Sequence, residues 1–478
     1  MQYFKRKIGQ GDLARILEEI AKGRGTAGEG SGAGGACGGA DGPRGRRFVP
    51  YEPSLLGDRD IILSSEALAQ IANAEIKVVR SDCFVGESEL GAVLRRCLAR
   101  IEGIASIRTN GVKPDYRACC YMDLLDWTLR KQRDTGGASG ADVADPEFHR
   151  AVKQQARSLT ARSDATVEAS YAAHLIERTV EHILIEVPPG GGIATADLFD
   201  LYRRISEGSY WEQEGGLRTW DYRRRKRDDV ALSIYVPTPP AKLPIFIDDL
   251  VAFCNRNSYS PVTKSAIAHY QLEATKAFTA GSDQLGRVLA ILIWRKGGVL
   301  EHYMPPFSIT PAMVTMRHIY RLEPYLTNES FATAEEALAV DEWVYHCARA
   351  CELGVRITRF CHDEMRRVLG QWEATLDGRG VKRGRTTRRL LCELLGSPVV
   401  SIPYAAHRAG LSFTTVSGTV EHLVDVGILR QTRACERNRV FEAPAALALF
   451  EIIETALLPK TPTSRESLIE QSLQDLRH

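Results

Sequence analysis

Residues 263–298 read TKSAIAHYQLEATKAFTAGSDQLGRVLAILIWRKGG. The apolar periodicity predicts two helices, 263–278 and 284–298, separated by a small polar turn. Ser282 or Asp283 is the expected N-cap of the second, supplying an oxygen to its orphan N–H groups. Upstream, IFIDDLVAFCNRN (245–257) reads as another helix, preceded by the proline-rich connector YVPTPPAKLP (235–244) and a strand-like run DVALSIYV (229–236). Still earlier, ATADLFDLYRRISEG (194–208) is a helix stopped by Gly208. The helical run 152–187 ends at Pro188, Pro189 and the glycines at 190–192. Residues 64–79 and 89–105 are the clearest helices nearer the amino end, and 135–147 reads as a surface loop. Downstream, helix is expected to about Asp377.

Both ends change character. Residues 1–21 have the spacing of a short amphipathic helix, with Leu13, Ile16, Leu17 and Ile20 on one stripe. Lys22 to Arg46 is a Gly-rich run that cannot bury enough apolar surface to offset its chain entropy, and reads as a flexible linker. It has no GK[ST] ending and no preceding strand, so it is not a phosphate loop. At the other end, a basic stretch (378–390) precedes helix, helix, turn, helix and two strands with a polar tip, the layout of a winged helix-turn-helix. Leu390, Leu391, Leu394, Val420, Leu423 and Val424 are spaced as its core. Gly410 is expected at positive φ and Ser412 as a cap.

The 478 residues suggest two to four domains. A formal net charge of +2 excludes a global basic field, so any nucleic-acid contact is a local patch. Eleven cysteines without CxxC spacing, including Cys119–Cys120 and Cys347/Cys351, read as buried thiols in a reducing compartment. His346 beside Cys347 and Cys351 lacks a second ligand pair for zinc, and no metal is expected. No apolar run approaches the ~20 residues needed to cross a bilayer. Cytoplasm is the expected location.

The stretch Tyr235–Arg287 resembles the core of the Fic (Fido-fold) family, which transfers AMP and related groups onto hydroxyls. Tyr235–Pro240 is similar to the connector from the family's flap strand. The helix with Ala268, His269, Gln271, Leu272 and Glu273 is similar to the one leading into its signature loop. In that loop, KAFTAGSDQLGR (276–287), Phe278, Gly281 and Arg287 match the signature. Lys276 stands at the catalytic histidine, and an ammonium has no lone pair with which to accept a proton. Ala280 replaces the Mg²⁺ carboxylate. Ser282 and Asp283 replace Asn-Gly of the anion-binding turn, and Gln284 replaces the first arginine. The resemblance therefore implies lost chemistry, with Asp283 placing a carboxylate where phosphate would sit. Ile101–Glu102–Gly103 resembles the end of the family's inhibitory-helix motif, which implies a Glu102–Arg287 salt bridge.

The recognition helix of the winged unit would present Thr414, Thr415 and Ser417 and has no Arg or Lys for guanine, so base readout is expected to be weak. Arg385, Arg388 and Arg389 ahead of it, and Arg433, Arg437 and Arg439 in the wing, are candidates for phosphate contact, alongside Lys382, Arg383 and Arg430. The alternative for this unit is protein contact. A second basic cluster, Tyr222 to Arg227, reads as a solvated loop.

The expected fold is mainly α: a Fido-like helical domain with a short β flap, followed by a winged helix-turn-helix. The expected units are 1–47 (amino-terminal helix and linker), 48–160 (helical region), 161–380 (Fido-like core), 381–450 (winged helix) and 451–478 (tail). The expected function is that of a catalytically degenerate Fic-like protein that binds a protein partner or DNA, with no cofactor, no membrane contact, and homo-oligomerisation left open. The runner-up is an AMP transferase with altered chemistry, using Lys276 or His269 and needing Mg-ATP.

Overall fold

The computed structural model describes residues 52–53, 55–57, 60–109, 111–135, 145–209, 216–220, 237–309, 334–380, 384–432 and 439–457. The amino-terminal stripe and linker, the flap strand, the Tyr222–Arg227 cluster and most of the 135–147 loop lie outside them.

The described chain is mostly helix. The first six helices are α1 (Ser65–Glu87), α2 (Gly91–Arg108), α3 (Tyr116–Thr135), α4 (Pro146–Thr160), α5 (Asp164–Glu186) and α6 (Thr195–Ser206). Then come α7 (Leu243–Cys254), α8 (Pro261–Thr275), α9 (Ser282–Lys296) and the long α10 (Ala334–Gly378). Their starts follow local chemistry. Ser64, Ser163 and Ser260 cap α1, α5 and α8 by accepting backbone N–H groups, and Asp145 with Pro146 opens α4. The run at 152–187 is two helices, because Ala161 adopts a left-handed conformation (φ 54°) and Ser163 begins a new cap. Helix was also expected after residue 298, but 301–308 is irregular: Pro305 and Pro306 there lack the N–H that a helix needs.

The carboxy-terminal part runs α11 (Arg385–Gly396), β1 (Val399–Ser401), α12 (Ile402–Ala409), α13 (Phe413–Asp425), β2 (Arg430–Gln431), β3 (Val440–Glu442) and α14 (Pro444–Leu457). The three strands form an antiparallel sheet in the order β1-β3-β2, pairing Val400 with Phe441 and Gln431 with Phe441. The sequence pattern missed β1, which is only three residues long, and α14 continues through residue 450, where a unit boundary was expected. Gly410 has φ 59° and Ser412 Oγ accepts from Thr415 N at 3.3 Å. Five of the six expected core residues here are buried, and Val424 is half-buried.

α8 packs along α9, α2 along α5, and α1 along α10. One apolar core runs from Leu56 to Ile453, so the carboxy-terminal part is built onto the helical part. Buried charge crosses that junction. Arg100 of α2, 1% exposed, meets Glu177 of α5 at 2.8 Å, Asp123 of α3 at 3.3 Å and the Gly396 carbonyl at 3.1 Å. Glu442, 0% exposed, accepts from Arg117 (2.7 Å), Tyr121 (2.8 Å) and Arg430 (2.9 Å). Cys97, Cys119 and Cys120 are buried thiols; burial raises all three, Cys97 to about 12.

Burial works against the Glu177 carboxylate, but Arg100 and His174 outweigh it and hold the group below its ordinary 4.5. A depressed carboxyl contributes stability above 4.5 that is lost as pH falls through the folded value. Arg100→Ala should therefore cost about 3–5 kcal/mol, because it leaves Glu177 buried without its main partner. Urea denaturation at pH 7 measures the cost. Repeated at falling pH, it should show the variant losing less stability than the wild type.

Candidate functional site

The turn between α8 and α9 is pinned from three sides. α8 ends at Thr275 and is followed by Lys276, a non-glycine residue in the left-handed region (φ 47°), after which the chain turns Phe278 inward. Phe278 is 1% exposed and stacks on Tyr202 of α6 with centroids 4.2 Å apart. The buried Arg218 clamps the turn: its backbone N–H donates to Ala277 O at 2.9 Å and its Nε to Lys276 O at 3.1 Å. Its Nη2 reaches Thr238 O at 2.5 Å. Gly281 (φ 77°) then starts α9, where a side chain would be strained.

The expected capping role fails here. α9 begins at Ser282 with Gly281 as N-cap, and no side chain caps it. Ser282 Oγ bonds back to the Phe278 backbone instead. Asp283 turns into the protein. Its carboxylate accepts from Arg287 Nη2 at 3.1 and 2.8 Å, from Thr109 Oγ1 at 3.1 Å, and lies 2.8 Å from His269 Nε2. Arg287, 1% exposed, also donates through Nη1 to Ser106 O at 3.1 Å, and Gln284 Nε2 reaches the same carbonyl at 3.4 Å.

Helix ends explain this arrangement. Ser106 lies in the last turn of α2, where carbonyls have no partner within the helix and the macrodipole is negative. Asp283 lies in the first turn of α9, where the dipole is positive. Arg287 stands four residues on, in ion-pair register with Asp283. One guanidinium thus satisfies a helix C-terminus and a carboxylate together. Gly286 makes the crossing fit: a Cβ there would lie 2.5 Å from the His269 ring and 3.0 Å from its Cα.

The Glu102–Arg287 salt bridge is not formed. Glu102 accepts from Ser308 N at 3.0 Å and from Ser308 Oγ, and burial raises its carboxyl against those bonds. Arg287 reaches α2 one turn farther along, at Ser106. Gly103 lies against α5: a Cβ there would sit 2.3 Å from Ala173 O, so close helix packing accounts for it. Lys276 pairs with Glu273, partly exposed at the turn. Among the described residues, no group of three or more His, Cys, Asp or Glu side chains is arranged to hold a metal ion. Thr109, Ser106, Gly286, Arg218 and Ser308 were not singled out from the sequence; of these, only the glycine inside an apolar helix carried a signal.

The candidate nucleic-acid residues are scattered in role. Thr414 and Thr415 are exposed on α13 and Ser417 is half-exposed. Arg388 is committed to Glu89 (2.8 Å) and Glu373, and the hydrogen bond to Glu89 raises it above its ordinary value. Arg439 lies 3.6 Å from Glu421. Arg385 and Arg389 form no ion pair among the described residues, while Arg433, Arg437, Lys382 and Arg383 lie outside them.

The fold and this junction define a mainly helical protein in which a buried arginine at a loop–helix turn holds one anionic group. Residues 193–294, from the turn before α6 into the last turn of α9, match the model of the Fic/DOC family. The chain is similar in structure to a Fic family protein from Desulfovibrio desulfuricans, at 14% identity over 82% of this chain and 98% of that one, with a TM-score of 0.42. It is also similar to Fic-1 from C. elegans, at 15% identity over 61% of this chain and 72% of that one, with a TM-score of 0.35. No curated protein sequence matches. No described helix is long and apolar enough to cross a membrane.

Asp283→Ala should cost about 3 kcal/mol or more, because it strands a buried guanidinium. Asp283→Leu combined with Arg287→Met should recover most of that loss. Denaturation of the three variants measures the coupling. Gly286→Ala should lower the melting temperature by several degrees, since the His269 backbone cannot yield; calorimetry checks it.

Proposed function

We propose that this Fic/DOC protein has given up group transfer and acts by binding, its former phosphate position filled by its own Asp283. The observation that carries the reading is the buried Asp283–Arg287 pair with His269 and Thr109 around the carboxylate. A bound phosphate would need Arg287, and would meet a carboxylate held there by four contacts. At ~4 Å, two like charges repel by about 4 kcal/mol even at an effective dielectric near 20. Ala280 offers Mg²⁺ no oxygen, and the Lys276 ammonium is taken by Glu273. Mg-ATP does not fit these residues, and the altered-transferase reading has its two candidate bases engaged, Lys276 by Glu273 and His269 by Asp283, with no metal ligand offered by Ala280.

The carboxy-terminal unit, with its helices and three strands in winged-helix order, is the surface we assign to a partner. A protein partner is favoured over DNA. Among the described cations singled out for phosphate contact, Arg388, Arg430 and Arg439 are paired within the chain and Arg385 and Arg389 are not. Two phosphates neutralised would give a salt slope of only about −1.8 in log affinity.

Calorimetric titration with Mg-ATP tests the first part, and the expected result is no heat and no thermal stabilisation. Micromolar binding would overturn it and bring the transferase reading forward. For the second part, random duplex DNA at low salt should give no mobility shift at micromolar protein. A shift abolished by Arg385→Ala with Arg389→Ala would make DNA the partner.

A further inference from the structure

α4 divides sharply into two sides. Phe148, Val152 and Ala156 are buried on one. Arg150, Lys153, Gln154 and Arg157 fall together on the other, at intervals of three, one and three. That cationic side lines a cleft of about 600 Å³, which Glu168 of α5 and the chain at Gly208 and Ser209 complete. The volume lies within the range of about 300–1,000 Å³ that ligand sites occupy.

The floor of the cleft is fitted closely. Gly208 has φ 70°, and a Cβ there would lie 2.3 Å from the His149 ring, so the backbone seats on that ring only as glycine. His149 is 3% exposed, and its Nδ1 shares a hydrogen bond with the Tyr171 hydroxyl. Lys153 Nζ donates to Glu168 Oε2 at 3.0 Å and to the Gly208 carbonyl at 3.1 Å. Arg157 pairs with Asp164 at 2.6 Å. Arg150 and Gln154 are exposed and form no hydrogen bond or ion pair among the described residues.

This lining selects the chemistry of its occupant. Arg150, Lys153 and Arg157 are spread over about 10 Å of helix and attract anionic groups. Glu168 and the Gly208 carbonyl are acceptors beside them, and they call for N–H donors. A bare phosphate dianion brings acceptors alone. An extended acidic peptide brings both: side chains on one face every ~7 Å, and backbone N–H groups between them.

We propose that this cleft binds an extended acidic peptide segment of a partner protein, with Arg150 and Arg157 meeting its carboxylates. The site is separate from the carboxy-terminal unit and does not depend on what that unit grips.

The probe is fluorescein-labelled hexaglutamate, titrated with the full-length protein at low salt and read by fluorescence anisotropy. Arg150→Glu with Arg157→Glu should weaken binding at least tenfold, since each reversal sets like charges against each other. Arg80→Glu with Arg366→Glu makes the same charge change at exposed positions of α1 and α10 and should alter binding less than twofold. Equal weakening by the two pairs would show attraction to net charge alone and would overturn the proposal, as would no binding at sub-millimolar protein. Displacement by inorganic phosphate or free glutamate, beyond that caused by chloride at equal ionic strength, would also overturn it and assign the cleft to a small anion.

Discussion

A guanidinium that is 1% exposed cannot be left alone, and Arg287 sets the terms for everything around it. It needs an anion, and α9 supplies one from within itself, at Asp283. It needs further acceptors, and the last turn of α2 supplies the Ser106 carbonyl and hydroxyl. Those demands fix how α2, α8 and α9 approach one another. His269 must face Asp283, so position 286 has no room for a side chain. The closeness of α2 to α5 at Gly103 then follows the same packing logic from the other side of α2.

The helical framework was largely legible because caps and breakers are local. Ser64, Ser260 and Ser412 each announce a helix start within four residues, and Pro188 with its glycines announces an end. What escaped was decided by distance in sequence. Glu102 looked like a partner for Arg287 because both sit in motif-like contexts. The choice between Glu102 and Ser106 depends on how far α9 slides along α2, and no local pattern states that. Asp283 was expected as a helix cap, and it instead faces Arg287 inside the protein. Either role satisfies an aspartate beside a helix start, and tertiary neighbours such as Thr109 and His269 decide between them. Ser308, 206 residues from its carboxylate partner, could not have been found at all.

The same contrast holds for the carboxy-terminal unit. Its core residues and its turn followed from spacing. The fate of its arginines did not: Arg388 meets Glu89 from 299 residues away, and Arg430 meets the buried Glu442. Counting cations along a sequence therefore overstates what a surface can offer a polyanion.

The contacts that root this unit also have a mechanical meaning. Arg100 to Gly396, Arg96 to Glu393 at 3.3 Å and to Ser397 at 2.9 Å, and Arg117 to Glu442 stitch it to α2 and α3 at several points. A unit held this way tumbles with the helical body rather than swivelling on a hinge. Its bearing relative to the α8–α9 turn is therefore fixed, and torque applied at one end is felt at the other.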